Sequence, residues 1–131
     1  MKYKLLISLF IFIMCSTASA QTPKELKCET YGYAQTKYSG SGGIDLYEQK
    51  GRPNWQLKIS FEKGLSESNE PEMGFLQEKL TKITKQVYLG KGVDNGSAYE
   101  VAFVFSKDFD LMTLSQDGTF TGFYACLVTK K

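Results

Sequence analysis

The chain has 131 residues, 16 basic against 14 acidic, three cysteines and no histidine. That length suits one domain. Without histidine a Ser-His-Asp triad, a Cys-His pair, a His-ligated zinc site and a histidine proton shuttle are all excluded, and a formal charge of +2 is too small to point to a nucleic-acid partner.

Residues 1–20 read as a secretory signal peptide. Lys2 and Lys4 give a basic start, Leu5 to Cys15 is an apolar run interrupted by Ser8, and Ala18 and Ala20 are the small residues before a cut ahead of Gln21. The run is well short of the ~20 residues that span a bilayer. The competing readings are an uncleaved anchor and a lipoprotein tethered at Cys15, although the bulky Met14 before it argues against lipidation. No later segment is long and apolar enough to cross a membrane, so no integral span is expected after signal removal. The expected folded domain is residues 21–131, exported to the periplasm or the extracellular space. Losing Lys2 and Lys4 brings the 16 basic residues level with the 14 acidic ones, so neither nucleic acid nor anionic lipid is expected as a partner.

Two cysteines remain, Cys28 and Cys126, each in strand-like sequence (Leu26 to Thr30 and Tyr124 to Val128). In an exported chain they predict a disulfide. Its geometry requires the first and last strands to be close neighbours. No C-x-x-C is present, which argues against a redox role.

Further along, Ile44 to Gln49 is a short strand candidate. Gly51, Arg52 and Pro53 mark a turn before Asn54 to Phe61, where Trp55, Leu57, Ile59 and Phe61 share one face. From Met73 the apolar residues Leu76, Leu80, Ile83 and Val87 follow at helical spacing, with Asn69 and Glu72 resembling a capping box. This predicts one short helix near 71–82, then a strand to about Gly90. The β-branched Thr81, Ile83 and Thr84 keep a continuous strand open as the alternative. Asn95-Gly96 is a hairpin turn signal that sets Asp94 opposite Ser97, Leu89 opposite Ala102 and Lys91 opposite Glu100, the last as an ion pair. Asn95-Gly96-Ser97 also fits the N-glycosylation pattern.

Ser97 to Ser106 is apolar on both faces, which predicts a strand covered on both sides. Leu111 to Ser115 and Thr119 to Thr129 flank the turn pair Asp117-Gly118. The sum is a mainly β fold, a small antiparallel barrel or sandwich of about seven or eight strands. Chain ends pinned by Cys28 and Cys126 favour the barrel.

The chemistry inventory is sparse. No S-x-x-K or G-x-S-x-G occurs, and Ser39 to Gly43 lacks the Lys-Ser/Thr end of a phosphate loop. Glu62, Glu67, Glu70 and Glu72 read as a solvated acidic stretch rather than a calcium site. No catalytic residue, metal ligand or cofactor is assigned, and the chain is expected not to be an enzyme. Tyr31, Tyr33, Tyr38, Tyr47 and Trp55 form the candidate binding surface, since aromatics sharing one surface stack on sugars or fill a partner's cleft.

The leading expectation is a monomeric, non-catalytic exported binding or accessory protein for an unknown protein or small ligand. The alternatives are an inhibitor of a secreted hydrolase of lysozyme or protease type, inserting Ser39 to Gly43 or Lys63 to Gly74, and a lipocalin-like carrier with an apolar cavity. In general outline the chain resembles small exported bacterial proteins such as periplasmic lysozyme inhibitors, by shape alone and without a shared motif.

Overall fold

The computed structural model describes residues 21–38, 44–49, 55–70, 74–116 and 120–131. Within them the chain forms nine strands and no helix. In chain order they are β1 (Glu25–Tyr38), β2 (Ile44–Gln49), β3 (Gln56–Ser60), β4 (Leu65–Glu70), β5 (Gly74–Lys82), β6 (Val87–Asp94), β7 (Ser97–Phe105), β8 (Leu111–Gln116) and β9 (Phe120–Lys130). All neighbours are antiparallel. Strands β3 to β9 follow one another in sequence order, and β1 pairs with both β3 and β9, closing an eight-stranded barrel.

The 14-residue β1 does two jobs. Its first half, Glu25 to Glu29, pairs with β3 on one edge, and its second half, Tyr33 to Tyr38, pairs with β2 on that same side. Strand β2 is therefore an extension of the barrel wall and not the hairpin partner of β3.

The ends of the chain meet as expected. Cys28 lies directly opposite Cys126 in the β1–β9 ladder, with Cα atoms 4.0 Å apart and the sulfurs at the 2.05 Å bonding distance. The β6–β7 hairpin also has the expected register, Asp94 opposite Ser97 through Val87 opposite Val104. Its turn works because Asn95 and Gly96 both take positive φ, 48° and 79°, as a two-residue turn matched to strand twist requires. The ion pair forms, with Lys91 Nζ 2.8 Å from Glu100 Oε1.

Two expectations are corrected. Over the described residues the helix near 71–82 gives way to the strand alternative, since Gly74–Lys82 is strand β5. The helical spacing of Leu76, Leu80 and Ile83 is coincidental. Leu76, Glu78 and Leu80 form the inward row at strand spacing, and the charged Glu78 in the middle hides the alternation. Strand β7 is also not covered on both sides. Tyr99, Val101, Phe103 and Phe105 face inward, but Val104 on the outer wall is 44% exposed. Small and β-branched residues on that outer row simply fit a pleated surface.

Eight strands leave an interior that side chains can fill. Leu26, Cys28, Leu57, Ile59, Val101, Phe103, Met112, Leu114 and Tyr124 do so. At one end, the base, Phe61, Tyr88, Phe105 and Phe109 pack with ring centroids 4.9–5.9 Å apart. Phe109 holds φ at 60°, a strained value for a bulky residue. Burial of its ring at 1% exposure offsets that cost. The incoming chain seals the same end, as Lys24 N donates to Lys130 O and Phe61 N donates to Lys24 O, each 2.9 Å.

Residues 1–20, including Cys15, lie outside the described residues, as do Ser39 to Gly43, Gly51 to Pro53, Pro71 to Met73 and Asp117 to Thr119.

Candidate functional site at the barrel mouth

The end opposite the base is where the β6–β7 turn sits and where β8 hands over to β9. Two groups of side chains meet there. The first is aromatic. Tyr33, Trp55 and Phe120 form a triangle with ring centroids 5.7–6.0 Å apart. A backbone irregularity builds it. The β1–β9 register shifts between Thr30 and Gly32, so the inward row changes from Leu26 and Cys28 to Tyr33. Trp55 is fixed against the same irregularity, its N–H donating to Thr30 Oγ1 at 2.9 Å and its carbonyl accepting from Thr30 N at 3.1 Å.

The second group is polar and lies inside the opposite wall. Ser66, Ser68 and Glu78 are the buried polar residues among those described, at 0%, 6% and 4% exposure. Glu78 is held from both sides. Ser66 Oγ donates to its Oε2 at 2.5 Å and Tyr99 Oη donates to its Oε1 at 2.7 Å. Both carboxylate oxygens are thereby satisfied, as a buried carboxyl group requires. Gly90 faces this row, and a Cβ there would come within 2.6 Å of Phe103 Cε2 and 3.0 Å of Glu78 Cβ. Its lack of a side chain makes room for both.

Above Glu78, Tyr99 passes from the interior to an open cleft of about 190 Å³ lined by Leu76, Asp94, Ser97, Tyr99 and Gln116. Gln116 pairs with Phe120 in the β8–β9 ladder, so cleft and aromatic triangle share one rim. The lining combines Leu76 and the Tyr99 ring with a carboxylate, a hydroxyl and an amide. That set offers an apolar face together with hydrogen-bond donors and acceptors. The volume is below the ~300–1,000 Å³ of pockets that hold a whole drug-sized ligand, so it suits one ring or one end of a ligand.

The candidate aromatic surface is not one surface. Tyr33 and Trp55 come together but are 7% exposed. Tyr31 points outward from the bulge, 63% exposed, its ring 6.2 Å from Phe123. Tyr38 stands opposite Ile44 and Tyr47 opposite Gln35, both on the β1–β2 extension. Phe120, Glu78, Tyr99 and Gln116 were not singled out from the sequence. Tyr99 falls within the strand candidate Ser97 to Ser106, and Glu78 within the expected helix near 71–82.

Shifted ionisations fall elsewhere. A hydrogen bond from Thr129, together with Lys58 and Lys130, lowers the Glu25 carboxyl at the start of β1 despite some desolvation. Hydrogen bonding and attraction to Glu100 raise Lys91 on the outer wall. Burial raises Tyr88 at the base, opposed by a hydrogen bond from Thr22. No group of three or more metal-ligating side chains occurs among the described residues.

The outer wall bears on membrane contact. No helix among the described residues is long and apolar enough to cross a bilayer. Lys58 on β3 and Lys79 on β5 are exposed on the outer wall. No protein-family model, curated protein or solved structure matches the chain.

Proposed function

We propose that the chain is an exported, non-catalytic binding protein that takes one ring-sized polar group of its ligand into the barrel mouth. The observation that carries this reading is the 190 Å³ cleft, whose Tyr99 is braced from below by the Glu78–Ser66 pair. Bracing matters because a ligand-contacting phenol held in one orientation loses less entropy on binding. The apolar and polar halves of the lining suit a sugar ring or a polar side chain of a partner protein. A whole-barrel apolar cavity of the lipocalin kind is disfavoured by the packed Phe103, Leu57 and Leu114 below the mouth. Export is supported by the signal-like residues 1–20 and by the Cys28–Cys126 pair.

Trp55 is the only tryptophan and sits on the rim, so its fluorescence reports binding without a label. Oligosaccharides, short peptides and secreted hydrolases are the probes. The reading predicts a saturable, one-to-one response to one of these classes, lost in Gln116→Ala and weakened in Tyr99→Phe. Turnover of a glycan or peptide probe that disappears on Glu78→Gln would overturn it. Inhibition of a hydrolase that survives both mouth substitutions would place binding elsewhere on the chain.

A further inference from the structure

We propose that the base of the barrel carries a second binding site, a cleft for a small zwitterion with a ring-sized apolar part, such as an apolar amino acid. The site is separate from the mouth and stands or falls without it. Three stretches distant in sequence enclose an open cleft of about 270 Å³ there: Gln21 to Pro23, Asp108 with Phe109 after β7, and the close of β9. The volume falls just short of the ~300–1,000 Å³ of pockets that hold a whole drug-sized ligand, which suits a smaller molecule.

The lining divides by chemistry. Pro23, Phe109 and Val128 are apolar, and Asp108 and Lys131 bring one charge of each sign. Among the described residues neither of these two side chains forms an ion pair or a hydrogen bond, with each other or with a third group. A ligand of one charge would leave the other side chain unmatched. A zwitterion meets both, its ammonium donating to the Asp108 carboxylate and its carboxylate accepting from the Lys131 ammonium, while its apolar part lies on Phe109 and Val128.

The floor of the cleft is fixed before a ligand arrives. Phe109 N donates to Ser106 O at 3.1 Å, Ser106 Oγ donates to Asp110 Oδ1 at 2.6 Å and Cys126 N donates to Asp110 O at 2.7 Å. The loop is thus pinned on both sides of Asp108 and Phe109, and the Phe109 ring packs on Phe61 and Phe105. A wall that does not have to order itself on binding loses less entropy. The φ of 60° at Phe109 points the same way, since bulky residues held in sparsely populated backbone regions cluster at ligand clamps.

The test is an NMR titration of the exported chain with L-phenylalanine, and with phenethylamine and 3-phenylpropionate, which each keep one of its two charges. The expected result is a saturable shift of the Asp108, Phe109 and Val128 amides, tightest for phenylalanine. Both charged side chains are exposed, so Asp108→Asn and Lys131→Met leave the fold in place. Each should weaken phenylalanine binding about two- to fivefold, the range of exposed ion pairs. No saturable shift at the base with any of the three compounds would overturn the site, as would shifts confined to Tyr99 and Gln116 at the mouth. Equal binding of all three compounds, unchanged in both variants, would show a cleft that does not read charge and would overturn the ligand class. Phenethylamine as tight as phenylalanine, with a loss in Asp108→Asn alone, would make the ligand a cation and overturn the zwitterion.

Discussion

The two ends of the barrel are built on different terms. At the base, Phe61, Tyr88, Phe105 and Phe109 interlock, and stability there comes from apolar area removed from water. Towards the mouth the inner wall of β4 and β5 presents Ser66, Ser68 and Glu78, and order there comes from a carboxylate satisfied by two hydroxyls. The base tolerates small sideways adjustments of its rings, since dispersion contacts are individually weak and poorly directional. Glu78 tolerates little, since a buried polar group that loses a partner incurs its desolvation cost. The difference teaches that the base holds the barrel shut while the mouth fixes where one phenol, Tyr99, points.

Substitutions should separate the two regions by size of effect. The largest belongs to closure. Cys28 and Cys126 are 98 residues apart in sequence, and replacing both by serine should cost about 4–5 kcal/mol by chain entropy, read from urea unfolding. Phe103, with no exposure, comes next. Phe103→Ala should cost about 3–5 kcal/mol in the same measurement, and a loss below 1 kcal/mol would mean that the barrel centre is not packed around this ring.

A pH titration sharpens the contrast from the base side. Burial raises the Tyr88 phenol above its ordinary value of 10.0. The fold favours the neutral form, so the stability Tyr88 contributes is intact below the unfolded value and is lost as pH rises through the raised one. Tyr88→Phe should therefore shift the alkaline unfolding midpoint upward and leave the acid midpoint in place. The smallest effect belongs to the outer wall. Lys91 and Glu100 are 64% and 59% exposed, and such pairs are screened by water and salt. Lys91→Ala should leave the thermal midpoint unchanged at moderate salt, and a clear drop would show that the outer ion pair carries structural weight.

The same contrast explains what was legible in the sequence. Where inward residues are apolar, alternation is plain. Trp55, Leu57 and Ile59 mark β3, and Asn95-Gly96 with the rows on either side fixes the β6–β7 pairing residue by residue. Cys28 and Cys126 marked the neighbours that close the barrel. Where inward residues are polar, the signal vanishes. Ser66 and Ser68 make β4 read as loop, so Lys63 to Gly74 reads in the sequence as one insertable loop, whereas Leu65–Glu70 within it is strand. Glu78 broke the row that would have marked β5 and let a helical spacing stand out. The β1 irregularity at Thr30 to Gly32 was also unreadable, because a single register shift decides that Tyr31 faces outward and Tyr33 inward. Phe120 meets Tyr33 and Trp55 through its pairing with Gln35 of β1, all of them distant in sequence.

The claim that the β4–β5 row forms a satisfied polar interior is tested most directly by a double-mutant cycle on Ser66 and Glu78. Glu78→Leu alone strands the Ser66 and Tyr99 hydroxyls and should cost about 1–3 kcal/mol. In a Ser66→Ala background the same change should cost at least about 1 kcal/mol less, since one stranded donor is gone. Costs that add to within about 0.3–0.5 kcal/mol would show that the two side chains do not meet inside the barrel, and would contradict the account.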